Sequence, residues 1–288
     1  MTKRPLAIAA LLLVATAWGM SFTLVKNVLT RIAPEPFIMW RFLLAGVALL
    51  LLAAWRRELR RAILFPGLAL GALVFAGYWS QTRALIHISP SRSAFLTGLY
   101  VVMVPFADRL LHGVRVSRRA WIGSVLATVG TMMLIGGGID IRPQPGDLLT
   151  VFCAVCFALH VVLSAKYSVA APATALAAVQ VFVVGVAAII PAMFAPRPQP
   201  SVPIVAVIVF TALVTTALAF VFMMWGQARV SATEAVVLLA FEPVAASITS
   251  IVWDHEAITL PFLGGAALIL TAMVLSQLPE RPSRPQPQ

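Results

Sequence analysis

Charged side chains are scarce in this sequence, and acidic ones are the scarcest of them. Asp, Glu, Lys and Arg make up only 11% of the 288 residues, with 10 acidic against 21 basic side chains. A soluble domain carries about 25% charged residues, so this composition excludes a soluble globular fold. Hydrophobic residues make up 61% of the chain and the mean hydropathy is +0.97, which indicates a membrane protein.

Cysteine is nearly absent as well. Cys153 and Cys156 are the only two, and their spacing places them on one face of a predicted helix. This C-x-x-C admits a redox or metal role, but two small side chains packed inside a span are favoured, because no further cysteine completes a zinc site. The histidines are scattered along the chain, at His87, His112, His160 and His255. We therefore expect no metal and no cofactor.

Motifs of intramembrane enzymes and of channels are also missing. The sequence contains no H-E-x-x-H, no paired aspartates and no G-x-S-x-G, and it shows neither a filter loop nor a ring of like charges. We therefore expect a protein that is neither an enzyme nor an ion channel. Nothing in the sequence indicates an obligatory protein partner.

Long apolar runs recur along the whole chain. Each is close to the roughly 20 residues that a helix needs to cross a hydrocarbon core of about 30 Å. The runs are continuous rather than alternating, so they predict an all-α membrane protein with ten transmembrane helices and not a barrel. The predicted helices cover residues 6–25, 36–55, 63–87, 93–112, 120–138, 148–166, 174–194, 204–227, 235–253 and 260–278.

The first five predicted helices are matched by the last five. Residues 84–133 align without a gap on residues 226–275, mainly through the spacing of apolar runs and breaks. An odd number of spans per half inverts the second half, and inverted halves around a central cavity are typical of alternating-access transporters. The predicted division is a first repeat, a linker, a second repeat and a disordered cytoplasmic tail, over residues 1–138, 139–147, 148–278 and 279–288.

Basic residues fall mostly on one side of the ten-helix arrangement, so the net charge of +11 is a topology signal rather than a sign of nucleic-acid binding. The richer side carries Lys3, Arg4, Arg56, Arg57, Arg60, Arg61, Arg115, Arg118, Arg119, Lys166, Arg229, Arg281 and Arg284. The poorer side carries Lys26, Arg31, Arg92, Arg142 and Arg197. By the positive-inside rule both termini are cytoplasmic, which predicts a multi-pass protein of the bacterial inner membrane.

The N-terminus leaves one alternative open. Lys3, Arg4, an apolar stretch and the sequence Ala15-Thr16-Ala17 mimic a cleavable signal peptide. A retained first helix is favoured, because cleavage would leave an odd number of spans and break the repeat.

Glu242 is the strongest candidate for a functional residue. A charged side chain at mid-membrane costs about 2.5–3.5 kcal/mol on insertion scales, so it normally faces a cavity or a partner. Pro243 follows directly and removes a backbone hydrogen bond beside the carboxylate. The repeat places Tyr100 opposite Glu242 at the same depth. Glu242 then binds a substrate amine or carries a proton, unless it is a protonated carboxyl that braces two helices.

Other polar and aromatic residues inside the spans complete the predicted site. Tyr78 and Trp79 lie deep in the third predicted helix, and His160 and Ser164 are one turn apart in the sixth. Trp40 also fits a membrane-interface belt, and His160 also fits a structural role. The predicted substrate-binding residues are Trp18, Met20, Ser21, Trp40, Tyr78, Trp79, Tyr100, His160, Ser164, Trp225 and Glu242. The predicted mouth or gate residues are Lys26, Arg83 and Lys166.

Several short motifs carry a resemblance to a known family. The sequence Trp-Gly-Met-Ser-Phe at residues 18–22, the fourth predicted helix at 91–100, the Phe-Glu-Pro at 241–243 and the Asp-His-Glu at 254–256 resemble ten-helix EamA-type members of the drug/metabolite transporter superfamily. Val114 departs from the pattern, where many members have an acidic residue. The closest functional likeness is to the YddG-like amino-acid exporters.

The resemblance implies ten helices, cytoplasmic termini and export of small metabolites by rocking of the two halves. Its expected partners are a small-molecule substrate, such as an amino acid, and the lipid bilayer. Lys26 and Lys166 would attract a carboxylate at the two mouths. Two alternatives stay open: export of drugs or of metabolites such as nucleotide derivatives, and proton coupling instead of facilitated exchange.

Overall fold

The computed structural model describes residues 3–88, 93, 96–113, 116–135, 143–196, 201–253 and 259–277. The described residues form helices and connecting turns, with no β-strand among them. The helices are α1 (Arg4–Leu29), α2 (Pro34–Trp55), α3 (Leu64–Ala84), α4 (Tyr100–His112), α5 (Arg118–Ile135), α6 (Asp147–Ser168), α7 (Ala173–Ala187), α8 (Ile189–Met193), α9 (Val202–Ala212), α10 (Ala219–Gln227), α11 (Ala232–Leu239), α12 (Glu242–Trp253) and α13 (Leu260–Gln277). The predicted tail and residues 139–142 of the predicted linker lie outside the described residues.

Local sequence explains where several helices begin and end. Pro34 opens α2, where its missing N–H costs nothing. Ser231 accepts a hydrogen bond from the backbone N–H of Glu234, whose carboxylate accepts one from the N–H of Ser231, so a capping box starts α11. Gly113 ends α4 in the left-handed conformation, with φ of 65°.

Three of the predicted helices are interrupted in the structure, at Ala188, at Leu213–Leu218 and at residues 240–241, and the predicted helix 93–112 has a further break at Leu99. Two interruptions follow from proline. Pro191 has no N–H to donate to the carbonyl of Ala187, and α7 ends at Ala187. In the same way Pro243 cannot donate to the carbonyl of Leu239, and α11 ends at Leu239. The third is a π-helical turn, Leu213–Leu218, between α9 and α10. Such a turn displaces backbone groups from the regular ladder and is frequent at functional sites.

The surface of the bundle is apolar. Large hydrophobic side chains such as Leu51, Trp55, Phe65 and Leu110 are exposed on different helices, an arrangement that suits lipid rather than water. Six helical stretches within the described residues are long and apolar enough to cross a membrane, and Leu263–Leu275 is a shorter apolar helix. The six stretches are Arg4–Ser21, Pro34–Trp55, Arg61–Ala84, Asp147–Ser168, Ala173–Met193 and Val202–Gln227.

Close helix pairs hold the bundle together. Helix α2 packs along α7, α5 packs along α13, and α3 packs against both α6 and α7. Small residues allow this approach: a Cβ on Gly46 would lie 2.6 Å from the backbone of Phe182, and one on Gly185 would lie 2.6 Å from the backbone of Leu43. Helices α1, α4, α6, α10, α11 and α12 complete the walls of a central cavity.

Candidate functional site

A cavity of about 560 Å³ opens between helices from both predicted repeats. Its walls are mainly aliphatic and aromatic, with Phe37, Phe157 and Phe220 among them. A small set of polar side chains interrupts this apolar surface. Both the volume and the mixture of surfaces are typical of small-molecule sites.

Six of the predicted substrate-binding residues line this cavity: Trp18, Ser21, Tyr78, Tyr100, His160 and Glu242. They come from five different helices that are far apart in the sequence. Tyr100 and Glu242, which the predicted repeat places at the same depth, both line the cavity and lie within electrostatic reach of each other.

Glu242 is the first residue of α12, directly after the interruption that ends α11. Its side chain is partly accessible from the cavity, and its carboxylate makes no hydrogen bond and has no cationic partner within the described part of the chain. Its backbone carbonyl contacts Gly19 of α1. A Cβ at Gly19 would lie 2.8 Å from the Cβ of Ala245. The glycine of the Trp-Gly motif therefore lets α1 approach the start of α12.

The π-helical turn Leu213–Leu218 holds Trp18 in place. The indole Nε1 of Trp18 donates a hydrogen bond of 2.8 Å to the carbonyl of Thr215. The indole ring meets Phe220 edge to face, with ring centroids 5.9 Å apart. The turn thus supplies the acceptor that orients a cavity aromatic from another helix.

Arg41 is a cavity residue that the sequence reasoning missed. It lies on α2, is only 4% exposed and lines the cavity. Its Nε donates to Thr216 Oγ1 at 2.7 Å and its Nη2 to Thr215 Oγ1 at 3.0 Å. The rule that selected Glu242, the cost of a charge inside an apolar span, applies equally to Arg41 and would have found it.

His160 is tied to a neighbouring helix. Its Nε2 donates a hydrogen bond of 2.7 Å to Gln180 Oε1 of α7, whose Nε2 donates to the Leu176 carbonyl. The imidazole ring also meets Phe220 edge to face, with centroids 6.2 Å apart. The structure thus gives His160 a structural bond and a position on the cavity wall.

The remaining predicted substrate-binding residues do not line the cavity. Ser164 donates to Gln227 Oε1 at 2.6 Å and joins α6 to α10. The guanidinium of Arg229 lies over the indole of Trp225, with its central carbon 4.1 Å from the ring centroid. The central carbon of the Arg83 guanidinium lies 5.8 Å from the ring centroid of Trp79. Met20 and Trp40 are about half exposed. These two aromatic–arginine pairs lie beside the cavity rather than in it.

The predicted gate residues occupy different surroundings. Arg83 forms an ion pair of 3.0 Å with the buried Glu35 at the start of α2. Lys166 is exposed near the end of α6. The side chain of Lys26 lies outside the described part of the structure.

Neither cysteine has a ligand environment. Cys153 and Cys156 are buried free thiols on α6. Across the described ranges, no group of three or more His, Cys, Asp or Glu side chains is arranged to hold a metal ion.

Comparison with known proteins gives the class to which this architecture belongs. The family model of the EamA-like transporter family matches twice, at residues 5–136 and 144–278. An uncharacterized transporter of Archaeoglobus fulgidus is 30% identical over 279 residues, which cover 96% of this chain and 87% of the relative. The uncharacterized transporter YwfM of Bacillus subtilis is 25% identical over 285 residues, covering 94% of this chain and 93% of the relative.

The fold has a close structural counterpart. A crystal structure of another protein superposes with a TM-score of 0.82 at 18% identity, covering 95% of this chain and 97% of that chain. Together the apolar helices, the central cavity and the sequence matches define a multi-pass membrane transporter. The chain belongs to the EamA-like transporter family.

Proposed function

We propose that this protein exports amino acids, including hydrophobic and aromatic ones, and related small metabolites across the bacterial inner membrane by alternating access. Two inverted five-helix repeats would rock around the central cavity, with both termini in the cytoplasm. The observation that carries the proposal is the cavity itself, because apolar walls enclose a few polar groups that include a carboxylate without a described partner.

Helix packing supports the inverted repeats. Helix α1 packs against α10 and α12, and α6 packs against α3 and α4. In the proposed repeat, α1 corresponds to α6, α10 to part of α3, and α12 to part of α4, so one set of contacts becomes the other when the halves are exchanged. The two family matches, at residues 5–136 and 144–278, fall on the same division.

The chemistry of the cavity supports amino acids as cargo. Phenylalanine and tryptophan side chains in the wall suit apolar side chains of varied shape, since apolar contacts make few demands on direction. The polar groups Ser21, Tyr78, Tyr100 and Glu242 are available for the part that all amino acids share.

Export of drugs or other metabolites is the second candidate. A nucleotide derivative carries several negative charges and requires several basic side chains. Arg41 is the single Arg or Lys among the described residues that line the cavity. This lining favours a cargo with one anionic group over a phosphorylated one.

Uptake into proteoliposomes tests the proposed function. The purified full-length protein is reconstituted and supplied with labelled amino acids, and protein-free liposomes provide the background. We expect saturable uptake of one or more hydrophobic or aromatic amino acids, with competition by unlabelled amino acids and not by nucleotide derivatives. Thermal-shift screening against amino acids and other metabolites identifies ligands independently of orientation. Absence of transport for every amino acid tested would contradict the proposed substrate class.

A further inference from the structure

Arg41 is a buried guanidinium in the wall of an apolar cavity. It lies seven residues into α2 and is 4% exposed. A helix rises about 1.5 Å per residue, so Arg41 is about 10 Å along the axis from Pro34, inside the apolar segment of α2. A charge at such a place normally faces a partner or a substrate pathway.

The groups that hold Arg41 are neutral. Nε donates to Thr216 Oγ1 at 2.7 Å, and Nη2 donates to Thr215 Oγ1 at 3.0 Å and approaches the Thr215 carbonyl at 3.4 Å. The guanidinium also faces the rings of Phe42 and Tyr78, each centroid 5.4 Å from its central carbon. Within the described residues no carboxylate contacts it. These contacts fix its orientation and leave its charge without a counterion.

An acidic side chain, Glu242, lines the same cavity. Glu242 has no described hydrogen-bond or ion-pair partner, and it does not pair with Arg41. Tyr78 lines the same cavity and is within electrostatic reach of both Arg41 and Glu242. The cavity thus presents one buried basic side chain and one acidic side chain that do not pair with each other.

The threonines use Nε and Nη2 of Arg41, and Tyr78 is a further neutral side-chain hydrogen-bond partner of the guanidinium. An arginine donor that is already oriented forms a short, charge-assisted bond to a carboxylate and loses little side-chain freedom in doing so. A molecule carrying a carboxylate and an ammonium group a few bonds apart supplies both missing counterions at once.

We propose that Arg41 is the carboxylate-recognition residue of the cavity, and that Arg41 and Glu242 together select zwitterionic substrates. The inference rests on the proposed function and assigns it a recognition chemistry: the α-carboxylate binds Arg41, the α-ammonium binds Glu242, and the side chain packs on the aromatic wall. Arg41 is then a specificity-determining residue, and the turn Leu213–Leu218 positions it.

Three related probes separate the two charges. Binding and competition are measured on the purified full-length protein with L-phenylalanine, with phenylalaninamide, which lacks the carboxylate, and with 3-phenylpropionate, which lacks the amine. We expect the wild type to prefer phenylalanine over each analogue by at least about tenfold, the usual effect of losing one charge-assisted hydrogen bond.

Arg41→Met should remove the preference over phenylalaninamide and retain the preference over 3-phenylpropionate. Glu242→Gln should do the reverse. Arg61→Met is the matched control, because Arg61 is exposed and outside the cavity lining; it should leave both preferences unchanged. Arg41→Lys is the substitute if Arg41→Met fails to fold. It keeps the positive charge but loses the planar set of guanidinium donors, and it should retain part of the preference for phenylalanine over phenylalaninamide.

The outcomes distinguish this inference from the proposed function. If phenylalanine and the other amino acids neither bind nor move, the proposed function and this inference both fail. If amino acids are transported but the wild type accepts phenylalaninamide equally well, only the role of Arg41 is overturned. A uniform loss of affinity for all three probes in Arg41→Met, with the preferences intact, would show that Arg41 is structural and would also overturn it.

Discussion

At the scale of single residues, the site consists of polar side chains whose partners lie on other helices. Trp18 and Arg41 are held by Thr215 and Thr216, whereas Glu242 has no described partner. The held residues fix the shape of the cavity. The unpaired carboxyl is therefore the group most available to a substrate or to a proton.

Glu242→Gln distinguishes these two roles. We expect wild-type transport to follow the solute gradient without a pH gradient, and Glu242→Gln to weaken substrate affinity about tenfold or more by removing a charge-assisted bond. The measurement is proteoliposome uptake across a range of substrate concentrations, with and without an imposed pH gradient. Glu58→Gln, an acid-to-amide change outside the cavity lining, is the control. Uptake that a pH gradient drives in the wild type and no longer drives in Glu242→Gln would instead make Glu242 the proton carrier.

At the scale of elements, the interruptions of the helices are what build the site. The break before α12 presents Glu242, and the π-helical turn Leu213–Leu218 presents the acceptors for Trp18 and Arg41. These acceptors are the Thr215 carbonyl for Trp18 and the hydroxyls of Thr215 and Thr216 for Arg41. The interrupted helices therefore remain apolar along most of their length and still place polar groups at the cavity.

Thr216→Val should destabilise the protein. The change keeps the shape of the side chain but leaves the buried Nε of Arg41 without its acceptor, which costs about 1–3 kcal/mol. Thermal unfolding of the purified protein, followed by intrinsic fluorescence, measures the effect. Thr211→Val is the matched control on the preceding helix, because the Thr211 hydroxyl bonds only to carbonyl groups of its own helix. Equal unfolding temperatures for the two variants would contradict a positioning role for Thr216.

At the scale of the whole molecule, the two ends of the bundle differ. The end where α1 finishes and α2 begins is open to the cavity, because Leu29, Thr30 and Pro34 line it. At the other end, Arg4 of α1 forms an ion pair of 2.6 Å with Glu234 of α11. In the proposed topology this pair would join the two repeats on the cytoplasmic side, and the open end of the cavity would face outward.

Glu234→Gln should favour opening of the cytoplasmic end. Glutamine preserves the capping box of α11 and removes only the charge that pairs with Arg4. The pair is partly exposed, at 44% and 21%, and such pairs contribute about 0.2–1 kcal/mol, which limits the population shift to roughly fivefold.

Cysteine labelling measures that shift. Leu11→Cys is introduced into a background in which Cys153 and Cys156 are serine, because Leu11 is fully buried against Gly226 in the structure. Adding Glu234→Gln should raise the rate of maleimide labelling by up to about fivefold. Asp108→Asn, which retains a hydrogen-bond acceptor for His112, serves as the control. An unchanged labelling rate in Glu234→Gln would exclude a gating role for this ion pair.

The sequence predicted the helices more completely than it predicted the residues of the site. The predicted range 36–55 nearly coincides with α2, and 148–166 with α6, because apolar runs of that length have few alternatives to a helix. Pro243 predicted the interruption beside Glu242, because proline has no N–H to donate to the helical carbonyl four residues earlier. Arg41 carries an equally local signal, a charge within an apolar run, and the rule that selected Glu242 also identifies it.

The sequence by itself determined the class of protein: a chain with this composition and these apolar runs must place helices in a membrane, since no other arrangement satisfies both the side chains and the backbone. Only the tertiary structure decided which polar residues share the cavity. Trp18 and Thr215 are 197 positions apart, and Arg41 and Thr216 are 175 apart. Such pairs depend on how the helices pack against one another, and that packing has no period or spacing in the sequence.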